Sequence, residues 1–355
     1  MLKRLTPRDI LVNLAAEWEA ELAHEWLEAI RSITSAVVLK ALIAELERGN
    51  LDRAMALLNL DADRFARFEG AILQAYNAGG QAVVGSMPML RDPSGNRVHF
   101  SWGVRNTPAE AALRQHAAAL VDDLVGEQLT VARQVLTDGL SRGQNPRQTA
   151  LGLVGKINRR SKRREGGILG LTPSSVQTLD KIYAGLRNGD AQAMRDYLGY
   201  ALRDKRFDGH VRRALEQGGT VPAEAVDRIV TAYSNRALKY RADNLALTET
   251  NIALTKAQRD AFQQQIDAGK LEASDVTKTW GRSISKEKRA DHLAMVGQTV
   301  PFDQPFVLPD GIQCTGPHDP NLPAHHLVGC KCPSPEITIS FAKRAARLDR
   351  EEGYV

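Results

Sequence analysis

The sequence predicts a mainly α protein: an elongated helical N-terminal part followed by a small α+β domain at the C-terminus. Three observations carry this. The apolar residues are mostly Ala and Leu, and aromatics make up only 5% of the chain, a balance that favours helix over sheet. Apolar positions recur at helical spacing through most of the chain before Gly269. Beyond Gly269 the pattern changes to short alternating stretches broken by prolines. A chain of 355 residues is long enough for two or three domains. The breaks in pattern divide it into a helical region at 1–106, a second at 107–237 with a basic linker at 156–170, a domain at 238–341 and a charged tail at 342–355.

Thr6-Pro7 reads as an N-cap followed by proline at the first helical position. Leu11, Leu14, Trp18, Leu22, Trp26, Leu27 and Ile30 then line one or two helices, with Trp18 and Trp26 as core or helix-seam residues. Gly49-Asn50 reads as a stop signal. A second helical block is expected from 51 to Gly79-Gly80. Asp92-Pro-Ser-Gly95 signals a turn before the alternating Val98, Phe100 and Trp102. Thr107-Pro108 starts a helix that runs toward Gly139, and a shorter one follows to about Lys156. Thr172-Pro173 caps another helix, and Gly189 and Gly218-Gly219 separate further ones. A last helix starts near Thr220 and runs through Tyr233 and Tyr240.

The most basic segment holds Lys156, Arg159, Arg160, Lys162, Arg163 and Arg164, six cations in nine residues. Their mutual repulsion is expected to oppose compact folding. Such a run suits a phosphate-contacting arm whose affinity depends on salt. A solvated loop and a surface for an acidic partner are the alternatives, because no aromatics are interleaved for base stacking.

On a helical wheel Leu238, Ala242, Leu245, Ile252 and Ala253 share one arc, and Glu249 falls inside it. A carboxylate on an apolar seam must be paired, because burying it bare is costly. The expected partner is a backbone amide or an Arg, with Thr248 and Thr250 bonding back to the previous turn. Further on, Val276 to Gly281 alternates like a strand and carries Trp280. Ser285 to Met295 looks helical and carries Asp291 and His292. Asp310-Gly311 makes a turn, Glu336 to Phe341 is a last strand, and Ala342 to Glu352 a charged helix or tail.

All three cysteines and four of the eight histidines lie beyond residue 290. The potential ligands are His292, Cys314, His318, His325, His326, Cys330 and Cys332, and four of them would make a tetrahedral zinc shell. The preferred set is Cys314, Cys330 and Cys332 with His292. The one-residue gap between Cys330 and Cys332 requires a strained turn if both hold one ion. Packing thiols or a loop-stapling disulfide are the alternatives.

The three cysteines and the want of a secretory signal or a membrane-length apolar run predict a reduced, non-membrane setting. The formal net charge of +5 permits nucleic acid nearby without arguing for it alone.

The chain from 241 to 332 resembles the phage head morphogenesis, or Mu F-like minor capsid, family. The matching elements are the Arg241-Ala-x-x-Leu-Ala-x-Thr248-Glu249-Thr250 helix followed by Ala253 and Ala257, Lys278-Thr-Trp280 leading to Arg289-Ala-Asp291-His292 and Gly297, and Pro317-His-Asp-Pro320 ahead of Gly329-Cys-Lys-Cys332. Gly329 stands where Asn is common in the family, and Lys331 where Arg is common. The resemblance covers about a quarter of the chain directly. It implies a minor head protein of a tailed bacteriophage, not an enzyme. Such a protein associates with the portal and other head proteins during procapsid assembly, resides in the virion head and in the host cytoplasm during assembly, and lies near packaged double-stranded DNA. Arg241, Thr248, Glu249, Trp280, Asp291 and Gly297 would be its structural motif residues. Two other classes stay open: a metal-dependent nuclease or toxin-like enzyme using Glu249, Asp291, His292 and His318, and a cellular DNA-binding adaptor.

Overall fold

The computed structural model describes residues 7–103, 107–283 and 289–351. Helix dominates, and the sheets are small, of two or three strands. Helix α1 (Pro7–Ala36) begins at the expected proline; its Thr6 cap lies outside the described residues. Then come α2 (Leu39–Glu47), α3 (Leu51–Ala56) and α4 (Ala66–Ser86). A two-stranded hairpin follows, β1 (Leu90–Arg91) with β2 (Arg97–Val98), turned at Asp92 to Gly95 as the sequence predicts. Next are α5 (Thr107–Ser141) and α6 (Pro146–Val154).

The basic segment is not an open loop: β3 (Lys156–Ile157) pairs antiparallel with β4 (Arg164–Glu165). Further helices are α7 (Pro173–Asn188), α8 (Ala191–Gly199) and α9 (Asp208–Glu216). Thr172 caps α7 as expected, and Gly189 ends it in the left-handed conformation that glycine adopts without strain. The single helix α10 (Ala223–Asp267) carries the Thr-Glu motif.

Past α10, strand β5 (Val276–Thr279) is followed by α11 (Ala290–Ala294), β6 (Thr299–Pro301), β7 (Phe306–Val307), β8 (Gln313–Cys314), α12 (Ala324–Leu327), β9 (Glu336–Ile339) and α13 (Phe341–Glu351). β5 is the central strand of a sheet ordered β6-β5-β9, with both neighbours antiparallel. Of the helix expected from Ser285, only α11 falls among the described residues; positions 285–288 lie outside them. No described helix is long and apolar enough to cross a membrane.

The chain packs as two compact units, each discontinuous in sequence. One comprises Met1–Leu22, Glu69–Ala117 and Asp243–Val355; the other comprises Ala23–Phe68 and Ala118–Ala242. The sequential segments 1–106, 107–237 and 238–341 therefore describe chain order, whereas the packing divides α1, α5 and α10 between the two units. Breaks in periodicity cannot mark such a division, because an unbroken helix carries its apolar stripe from one core to the next.

In the unit that holds the C-terminus, Leu11, Val83, Leu90, Phe262, Leu271, Val276, Phe302 and Ile339 form one buried cluster. A second cluster joins Trp280, Met295, Phe306, Leu308, Cys314 and Leu322. The expected stop at Gly79-Gly80 does not occur, because α4 continues to Ser86. These glycines serve close packing instead. A Cβ on Gly79 would lie 2.8 Å from the Leu254 side chain, and one on Gly80 2.3 Å from the Trp102 ring. The Trp102 indole in turn meets Tyr76 edge-on and donates to Asn77 Oδ1.

Candidate metal centre and basic hairpin

The site is assembled from three stretches of the second half of the chain. α11 presents His292, which is buried. The turn after α12 presents Cys330 and Cys332, also buried. That turn requires Gly329, whose φ is +67° and whose amide donates to Thr248 Oγ1 at 3.0 Å. Thr248 bonds back to Asn244 O at 2.8 Å, as the sequence predicts, so the Thr-Glu helix anchors the cysteine turn. Arg289, one residue before α11, donates to His326 O and Val328 O. Trp280 closes the site, edge-on to both His292 and Phe306. The amide of Gly297, with φ +85°, donates to Trp280 O at 3.0 Å and so fixes the Trp loop.

His292 Nδ1 lies 3.5 Å from Cys330 Sγ and 3.4 Å from Cys332 Sγ. These three side chains form a buried group able to hold a metal ion. The spacing can be tested against coordination chemistry. Zinc bonds of about 2.3 Å to sulfur and 2.0 Å to nitrogen, at a tetrahedral angle, set S and N about 3.5 Å apart. The donor atoms already stand at that separation. The one-residue spacing of the cysteines thus does not keep them from a common ion, once Gly329 supplies the turn.

The proton positions follow from the partners. His326 Nε2 lies 2.8 Å from Asp310 Oδ2, and a carboxylate only accepts, so this nitrogen carries a proton. In the neutral ring His326 Nδ1 is then an acceptor, and it lies 3.2 Å from His292 Nε2. His292 therefore donates through Nε2 and turns a bare Nδ1 toward the two sulfurs. A ligating histidine oriented through its other ring nitrogen is the usual outer-shell arrangement of metal sites. The His326 bond holds the Asp310 carboxyl below its ordinary pKa. Between the two thiols, the S–H of Cys332 holds the Cys330 thiolate down and pushes its own ionisation up.

Cys314 does not join this group. It packs in the apolar cluster with Trp280 and Phe306, and burial pushes its thiol up to about 11. All three thiols are free, so no disulfide staples the loop. His318 is fully enclosed, and its Nε2 donates to Cys332 O at 2.7 Å. His325 is exposed and, with Asp310 and His326, forms a second group of potential ligands nearer the surface. Asp291 is half-buried in the first turn of α11 and belongs to neither group.

Glu249 is buried as the sequence predicts, but its partner is His116, at 2.8 Å, not an arginine or an amide. This bond raises the His116 pKa. Nothing in the spacing between residues 116 and 249 announces the pair. The Thr250 hydroxyl is buried without a hydrogen-bond partner, contrary to the expected back-bond. Arg241 falls in the other unit, where it binds Glu127 at 2.7 Å and Gly170 O at 3.2 Å and lies over Trp26. Lys278, in the central strand, is buried, donates to Thr315 O and is pushed down to about 8 by desolvation.

The basic hairpin is locally built. Asn158 Oδ1 accepts from the amides of Arg160 and Ser161, and Ser161 Oγ donates to Glu165. Lys162 takes the left-handed position at φ +58°. Lys156 pairs with Asp227 at 3.0 Å, and Arg164 donates to Gly155 O. Arg159, Arg160, Lys162 and Arg163 are exposed around the tip.

Sequence reasoning pointed to His292, Cys330 and Cys332, but not to Asp310, which it read as a turn residue, nor to the part His326 plays. Asp310 and His326 are sixteen positions apart, with β8 and the Pro317–Pro320 turn between them, and only folding brings them together. Compared with known protein families, curated proteins and solved structures, the chain matches none.

Proposed function

We propose that the chain is a minor head protein of a tailed bacteriophage, with a binding and structural role and no catalytic one. It works in the virion head, and in the host cytoplasm during assembly, by holding the portal and other head proteins. Its C-terminal domain is fastened by a bound thiophilic ion such as zinc, held by His292, Cys330 and Cys332. The exposed cations of the β3–β4 hairpin contact the phosphates of packaged DNA.

One observation carries this reading. The short motifs that resemble the head morphogenesis family are separated in sequence but meet in one knot: Thr248 on Gly329, Gly297 on Trp280, Arg289 on the chain after His326, and His292 on both cysteines. Such convergence suits residues whose task is to hold a small domain in one shape. A pull-down against the portal protein of the same genome, with a search for the chain in purified virions and procapsids, tests it. Recovery with portal and particles is expected; absence from both particles removes the reading.

A further inference from the structure

The unit that holds the C-terminus contains a cleft of about 560 Å³, enclosed by the β1–β2 hairpin, the loop after α10 and α13. That is the size of a small-molecule site. Burial defines its floor: Leu271 is 1% exposed, and Arg344 of α13 is 9% exposed. An arginine so enclosed is ordinarily paired with an acid, because burying its charge bare is costly.

Arg344 lacks a full pairing. Its Nη2 donates to Arg91 O at 3.2 Å. Among the described residues the one carboxylate within 4 Å of it is that of the buried Asp275, whose Oδ2 lies 3.9 Å from Nη1, beyond hydrogen-bond reach. The same Oδ2 accepts from Arg347 Nη2 at 2.9 Å, and Oδ1 accepts from Arg347 Nε at 3.4 Å. Asp275 is thus spent on Arg347. A guanidinium carries five N–H donors, and among the described residues that of Arg344 makes no hydrogen bond besides the one to Arg91 O. Its remaining donors belong to a side chain that lines the cleft.

The other walls have a second character. Pro93 and Val98 of the hairpin and Leu348 of α13 supply apolar surface, and Lys270 adds a further cation. Two acids also line the cleft. Asp92 accepts from the amide and side chain of Asn96 through its two oxygens, and Glu272 is exposed and so belongs to the rim. The floor therefore presents a buried cation short of an acceptor, next to apolar surface.

We propose that this cleft binds a small organic carboxylate with an apolar body, its carboxylate held by the Arg344 guanidinium and its body lying on Pro93, Val98 and Leu348. A planar guanidinium meets a carboxylate with two parallel bonds, and a carboxylate there completes the pairing that Asp275 leaves undone. No residue of the metal centre or of the β3–β4 hairpin lines the cleft. This binding goes beyond the head-protein role and does not depend on it.

Isothermal titration of the full chain with hexanoate, hexanol and inorganic phosphate tests this. Saturable uptake of one hexanoate is expected, with a Kd of about 1 mM for so small a ligand. Hexanol should bind at least about tenfold more weakly, because the guanidinium loses its charged acceptor. No saturable uptake of hexanoate, equal affinity for hexanol, or tighter binding of inorganic phosphate overturns the assignment. The wild type also locates the ligand without any substitution: hexanoate should shift the amide resonances of Val98, Lys270 and Arg344 to Leu348, and shifts confined to other residues overturn it. Arg344→Lys keeps the charge but loses the fork, and should weaken hexanoate binding about tenfold. Arg350→Gln, on the exposed side of α13, should leave it unchanged. Wild-type affinity in Arg344→Lys, or an equal loss in Arg350→Gln, overturns the assignment to Arg344.

Discussion

The cysteine–histidine knot and the β3–β4 hairpin are two concentrations of polar chemistry among the described residues, and they are built in opposite ways. Every cap and turn bond at the hairpin tip joins residues within seven positions of one another, and its cations face solvent. The knot joins Thr248, Trp280, His292, Asp310, His326 and Cys330, and buries most of its polar atoms. The hairpin keeps its shape whatever its charged ends meet. The knot exists only when distant segments have arrived, and each polar group it buries needs its partner in place. Loss of one partner is therefore expected to be cheap in the hairpin and costly in the knot.

Four experiments sharpen or break that contrast. The largest effect is expected from the metal ligands. Cys332→Ser should abolish stoichiometric zinc, and chelation of the wild type should remove about 4 kcal/mol of stability if free metal otherwise exceeds Kd a thousandfold. Elemental analysis and thermal melts with and without chelator check both, and an unaltered melt would mean that the knot needs no ion.

Next comes the buried Glu249–His116 pair, a second long-range polar contact. Glu249→Ala should cost up to about 3 kcal/mol, because it strands the histidine beside an empty site. The pair also predicts a pH dependence. The folded pKa of His116 is raised, so its stabilisation is full below the ordinary histidine value of about 6.5 and fades as pH rises through the raised value. Urea midpoints across that window should fall for the wild type and show a smaller fall for His116→Gln.

Gly80→Ala tests the close packing of α4, where a methyl would press on the Trp102 ring. A loss of about 1–3 kcal/mol in denaturant unfolding is expected. The smallest effect on stability belongs to the hairpin. Changing Arg159, Arg160, Lys162 and Arg163 together to Gln should stay within about 0.5 kcal/mol of wild type. The same variant should weaken DNA binding and flatten its salt dependence by about 0.9 in log–log slope for each phosphate contact removed. An unchanged salt slope would detach the hairpin from DNA.

The helices were legible wherever their ends are chemically marked. Pro7, Thr172 and Gly189 stand where capping chemistry puts them, and the turn at Asp92–Gly95 is as read. Gly79-Gly80 misled because glycine has two uses. It ends helices by taking positive φ, and it also admits a neighbouring side chain at close range, and only the neighbour distinguishes them. The basic run misled in the other direction. Charge repulsion argued for an open segment, but Asn158, Ser161 and Glu165 supply enough local bonds to close a hairpin over it. In the site, residue type nominates His292, Cys330 and Cys332, which the fold brings together, and also Cys314, which packs in an apolar cluster instead; type says nothing about which thiol such a cluster absorbs.

By itself the sequence determined the mainly helical character, most of the helix ends and the gathering of thiols and imidazoles near the C-terminus. These follow from forces that act over a few residues: propensity, capping and periodic burial. Tertiary structure alone decided which donors face one another, that Glu249 meets His116, that Asp310 and His326 orient His292, and that one helix serves two cores. Those outcomes depend on contacts between positions far apart in the chain, where sequence spacing sets no distance. For the opposed lone pairs and buried carboxylates of this protein, the partner is chosen by packing, and packing is a property of the whole fold.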